Sequence, residues 1–251
     1  MNHPPIAAQM YTVREAAAQN LPGALERIAK LGYAAVELAG LFGWKPGDLA
    51  RTLNGLGLSC ISAHVSLTEL KNNLAGEIET YLELGAAFIV CPWLPPELRQ
   101  DETSYFSLAG DLNLIGERCR DNGLRLCYHH HEFELTRYHE KYALDILLEN
   151  SDPTNLQLEA DTYWLKYGGE DPADYIRRWA GRIPLIHLKD MTATRPPTYA
   201  EVGTGLLNWA GIFEAACLGQ AEYYIVEQDT CPGDPFDSLK LSLENLRQLG
   251  V

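Results

Sequence analysis

Leu31-Gly32-Tyr33-Ala34-Ala35-Val36-Glu37-Leu38 is the stretch that decides the fold, because an amphipathic run ends there in glycine and an apolar run begins at once. The same join returns at Leu56-Gly57 before residues 58–64, at Leu84-Gly85 before 86–91, and at Asn122-Gly123 before 124–128. A glycine just past a helix end takes the positive φ that a Cβ resists, so each join reads as helix to strand. Further apolar runs at 6–11, 156–160, 183–188 and 223–227 bring the strand count to eight. Helices are predicted near 21–31, 46–56, 70–84, 104–121, 141–149, 172–179, 208–218 and 237–248, the last with Leu239, Leu243 and Leu246 at helical spacing. Eight units of about 31 residues each, the size of a βα repeat, predict one (β/α)8 TIM barrel across residues 1–251. A doubly wound open sheet would want a glycine-rich nucleotide turn after the first strand, and the chain reads Tyr11-Thr12-Val13-Arg14-Glu15 there.

Composition narrows the function. The chain is 46% apolar and 22% charged, and its formal net charge of −14 repels polyphosphate, which excludes nucleic acid as a partner. No apolar run approaches the roughly 20 residues of a membrane helix, so no membrane is expected. The start, Met1-Asn2-His3-Pro4-Pro5, lacks the basic and apolar regions of a signal peptide. Six cysteines sit without any Cys-x-x-Cys pair, as buried thiols do in a reducing compartment. A cytoplasmic protein is expected, and a homo-oligomer stays open.

In barrels of this kind the active site lies at the C-terminal ends of the strands, so polar residues that close an apolar run mark it. Gln9 and Tyr11 close the first strand, Glu37 the second, His64 the third and Trp93 the fourth; residues 129–134 close the fifth. Asp161 closes the sixth, His187 with Lys189 and Asp190 the seventh, and Glu227 with Asp229 the eighth. Burying such groups unpaired costs several kcal/mol, and one divalent cation would offset it. An oxygen-rich set with an imidazole suits Mn²⁺, Mg²⁺, Co²⁺ or Zn²⁺.

Gln9–Arg14, Ala35-Val36-Glu37, Ser62-Ala63-His64, Tyr128–Glu134, Asp161-Thr162-Tyr163-Trp164, His187-Leu188-Lys189-Asp190 and Val226–Asp229 together resemble the sugar phosphate isomerase/epimerase group of the xylose-isomerase-like barrel superfamily. The resemblance runs over roughly residues 6 to 248 and is specific for the superfamily, not for a substrate. It implies one divalent ion held by Asp161, His187, Glu227 and a fourth group from strand five. The aligned position is His129, but Glu134 is the expected ligand, since a hard cation gains from a third carboxylate and the segment can curl back over the mouth; His129 is the alternative. Where the epimerases carry a His three residues after the aspartate, this chain has Trp164.

The ion would acidify a C–H beside a substrate carbonyl and stabilise an enediolate, while side chains move the proton. Glu227, His129 and His131 are the expected acid–base groups, and Lys189 would hold a substrate oxygen or act as a base. Gln9, Glu37 and His64 are expected to bind hydroxyls, with Trp93, Trp164 and Phe133 against a sugar ring. Val202–Trp209 is either a phosphate-binding loop or a plain turn into an Asn208 cap; without an Arg or Lys cluster, an unphosphorylated small carbohydrate is preferred. The expected activity is that of a metal-dependent sugar isomerase or epimerase. A dehydratase or other lyase using the same enediolate, and a non-catalytic carbohydrate-binding barrel, are the alternatives.

Overall fold

The computed structural model describes residues 3–251. Eight parallel strands close into a barrel in chain order: β1 (Ile6–Gln9), β2 (Ala35–Leu38), β3 (Ser59–His64), β4 (Phe88–Cys91), β5 (Arg125–His129), β6 (Leu156–Asp161), β7 (Leu185–Leu188) and β8 (Tyr223–Val226), with β8 pairing back onto β1. This is a (β/α)8 TIM barrel, and all eight strands overlie the apolar runs quoted above, β5 and β6 each running one residue further. The joins work as read: Gly32 and Gly57, for example, have φ of 98° and 70°.

The helices are α1 (Arg14–Leu31), α2 (Pro46–Leu56), α3 (Leu67–Glu83), α4 (Glu102–Asp121), α5 (Ala143–Glu149), α6 (Thr162–Tyr167), α7 (Pro172–Arg178), α8 (Trp209–Leu218) and α9 (Pro235–Gln248). The predicted first helix is extended toward its N-terminus by seven residues, and the helical segment after β6 comes in two pieces parted by Gly168-Gly169. None of the described helices is long and apolar enough to cross a membrane.

Alternation along the strands separates two levels inside the barrel. Ala7, Ala35, Ile61, Phe88, Val90, Cys127, Leu185 and Ile225 form an apolar plug. Two residues further along β1, β2, β5, β7 and β8 come Gln9, Glu37, His129, His187 and Glu227, all buried. The strand period of two puts these on the same inward face as the plug, one level nearer the C-terminal mouth. The plug supplies the apolar burial that holds the barrel closed, and the level above it is polar.

Candidate metal centre

His187 stands at the centre of that polar level and uses both ring nitrogens. Its Nδ1 lies 2.8 Å from Glu227 Oε2 and 3.9 Å from Asp161 Oδ2. Its Nε2 lies 2.7 Å from Glu37 Oε1 and 3.0 Å from Glu159 Oε2. The ring therefore divides two groups of ionisable residues.

On the Nδ1 side, His129, Asp161, His187 and Glu227 each offer an atom within 4.8 Å of the others. His129 Nε2 is 3.3 Å from Asp161 Oδ2. Lys189 Nζ reaches the same oxygens, at 2.6 Å from Glu227 Oε2 and 3.0 Å from Asp161 Oδ2, and a third at 2.8 Å on Asp229 Oδ2. Burial alone would push both carboxyl groups up, but Lys189 and His187 outweigh it and hold Asp161 and Glu227 below the usual carboxylate range. Burial, helped by His187, drives His129 well below the usual imidazole range, leaving it neutral and able to ligate. Two imidazoles and two ionised carboxylates form a donor set that a divalent cation fits.

On the Nε2 side, His64 Nε2 sits 3.0 Å from both Glu37 Oε1 and Glu159 Oε2, and Gln9 Nε2 donates to Glu37 Oε1 at 2.6 Å. Burial works against charge on His64, yet Glu37 and Glu159 raise it to about 10. Glu37, His64, Glu159 and His187 also converge within 4.8 Å. Their contacts of 2.7–3.0 Å are hydrogen-bonding distances, as is the 2.8 Å between His187 Nδ1 and Glu227 Oε2 in the other group, so spacing alone does not set the two apart.

Access does separate the two groups. A cavity of about 580 Å³ opens at the barrel mouth, lined by Tyr11, His64, Trp93, His129, His131, Lys189, Glu227 and Asp229 among others. His129 and Glu227 of the upper group line it, whereas only His64 does so from the lower.

Several expectations change. Glu134 is not brought to the group of His129, Asp161, His187 and Glu227: it is fully buried, its Oε1 accepting from the Tyr128 hydroxyl and its Oε2 from the His131 N–H at 2.8 Å. A short 3₁₀ turn at Glu132–Leu135 curls the segment back onto its own strand rather than over the mouth. Burial raises Glu134 to about 8, against the opposing pull of those two donors. Gln9 and Glu37 do not line the cavity; they are fully buried and bonded to each other beneath His187. Trp164 also stays off the cavity wall, packed against His131 with ring centroids 5.3 Å apart and with Lys189 Nζ 5.8 Å from its ring. His131, His64, Lys189 and Trp93 do line the cavity as expected.

Two residues play parts that the sequence reading did not give them. Glu159 closes the lower group, and its place two residues before Asp161 was the available signal, since alternation puts both on one face. Buried Asp190 accepts the backbone N–H groups of Gly203, Gly205 and Leu207 at 3.0–3.2 Å and the Trp209 indole N–H at 2.8 Å. Those N–H groups are thereby engaged, and the loop is a turn fastened to strand seven rather than a phosphate cradle. A Cβ on Gly205 would come within 2.3 Å of Asp190 Oδ1, so the loop's path requires glycine.

The closed barrel and its polar level are matched by a family model described as "Xylose isomerase-like TIM barrel" over residues 25–249. The chain belongs to that family. An inosose dehydratase of Geobacillus kaustophilus is 28% identical over 268 residues, covering 90% of this chain and 86% of that protein. Shorter alignments to other inosose dehydratases cover 51–64% of those proteins. Among solved structures, a sugar phosphate isomerase/epimerase from Parabacteroides distasonis superposes with a TM-score of 0.81 at 25% identity, covering 98% of this chain and 94% of that one. The IolI protein with a bound zinc atom shares the fold, with a TM-score of 0.77 at 14% identity over 98% of this chain and 97% of that one.

Proposed function

We propose that this barrel holds one divalent cation through His129 Nε2, Asp161, His187 Nδ1 and Glu227, and that it removes a proton from the carbon beside a carbonyl in a small unphosphorylated keto-polyol. The observation that carries the reading is the convergence of these four groups, of which His129 and Glu227 line an open cavity, whereas the second set reaches that cavity through His64 alone. When bound, the ion would draw electron density from the substrate carbonyl and make the neighbouring C–H more acidic.

The chain's own residues would do the rest. His131 lines the cavity and its Nδ1 has no hydrogen-bond partner, which makes it the group to take the proton. His64, also on the cavity lining, donates to a substrate hydroxyl, and the exposed indole of Trp93 covers an apolar ring face at the mouth. Among the described residues Lys189 is the sole Lys or Arg lining the cavity, and it already faces three carboxylates, a setting that disfavours a phosphorylated substrate.

The similarity to inosose dehydratase favours elimination as the outcome. The C–H electron pair becomes a C=C bond, the β C–O bond breaks, and the hydroxyl leaves with a proton as water. The resemblance to the isomerase/epimerase structure supports a second reading, in which the proton returns to carbon and no bond to oxygen breaks. Incubation with Mn²⁺ and an inosose in D₂O tests both. Exchange at the carbon beside the carbonyl with growth of enone absorbance is expected. Exchange without absorbance would select isomerisation, and binding without exchange would reject catalysis.

A further inference from the structure

We infer that Lys189 is a movable counter-ion of the cation site: it holds Asp161 and Glu227 in the metal-free chain and yields their oxygens for Asp229 when a divalent cation binds. This rests on the reading of Asp161 and Glu227 as cation ligands.

The oxygens that Lys189 Nζ contacts, Asp161 Oδ2 and Glu227 Oε2, are the same atoms that approach His129 Nε2 and His187 Nδ1. Ammonium and cation therefore compete for the same lone pairs. Lys189 is 1% exposed, and a buried ammonium stripped of its partners costs several kcal/mol, so it needs somewhere to go. Asp229 supplies that place. Its Oδ2 lies 2.8 Å from Nζ, is buried, and has no hydrogen-bond partner of its own.

Charge points the same way. The three carboxylates that Lys189 touches carry three negative charges, and one ammonium with one divalent cation matches them. Lys189 is thus retained in the loaded site rather than expelled, and the metal-free site is held together by it.

Metal affinity measured by chelator competition with Mn²⁺ and with Zn²⁺ tests this on wild type, Lys189→Met, Asp229→Asn and the double variant, with Lys189→Gln as the polar control should the Met variant fail to fold. Loss of the ammonium should tighten cation binding at least about tenfold. It should also lower the melting temperature of the metal-free protein. Asp229→Asn should weaken binding about tenfold in wild type and less than about threefold once Lys189 is gone, because its effect acts through the lysine. Unchanged or weaker binding in both Lys189 variants overturns the inference, as does an equal Asp229 effect in the two backgrounds. Wild type that takes up no cation would sink the ligand set as well, whereas normal uptake with an indifferent Lys189 sinks this inference alone.

Discussion

The two sides of the His187 ring carry the same residue types and face opposite fates. Above it, His129 and Glu227 line an open cavity, with buried Asp161 beside them and a lysine across the carboxylate oxygens. Below it, Gln9, Glu37, His64 and Glu159 are joined to one another and to His187 at hydrogen-bonding distance, and only His64 reaches the cavity. What separates a binding site from a support here is access to the cavity, not the list of side chains. A ligating imidazole is commonly fixed by a carboxylate on its other nitrogen, and the lower group supplies two.

That contrast can be broken most severely from above. Asp161→Ala should abolish stoichiometric metal and reduce turnover to background, as read by elemental analysis and the exchange assay; a variant that keeps one equivalent contradicts the upper site. His131→Asn comes next, with metal retained and kcat lowered by about 10² to 10⁴, the usual loss for a proton-transfer group. Unchanged kcat would move the base elsewhere. From below, Glu159→Gln should leave one metal equivalent but weaken its affinity about 10- to 100-fold, as support loss does. Complete metal loss in that variant would make the lower group the coordinating one.

The smallest effect belongs to Glu134, outside both groups. Its pKa rises from an ordinary 4.5 to about 8 on folding, so the folded state holds the proton more tightly than the unfolded chain. The stability this gives is fully present below about pH 4.5 and is lost as pH rises through about 8. Melting curves should show Glu134→Gln gaining on wild type between pH 5 and pH 8.5, and a pH-independent difference would deny the shift.

The barrel was legible because its signals are local: glycine at a helix end, a short apolar run, a polar closing residue. Asp161, His187 and Glu227 could be placed for the same reason, each ending a strand on the inward face. Glu134 lies away from the mouth, where the sequence placed it, because a bond from the His131 N–H three residues away holds it back. Glu37 and Gln9 look like cavity residues in sequence, but their depth depends on barrel closure, which pairs β1 with β2 at Gln9 and Glu37. Asp190 gathers donors from residues 203–209, a convergence that appears only once the loop is folded.

The fourth ligand tests the account most directly. Metal content after reconstitution with Mn²⁺ and exhaustive dialysis should be one equivalent in wild type and in Glu134→Gln, and close to none in His129→Ala. One equivalent retained by His129→Ala together with loss from Glu134→Gln would contradict the site described here and return the carboxylate to the metal.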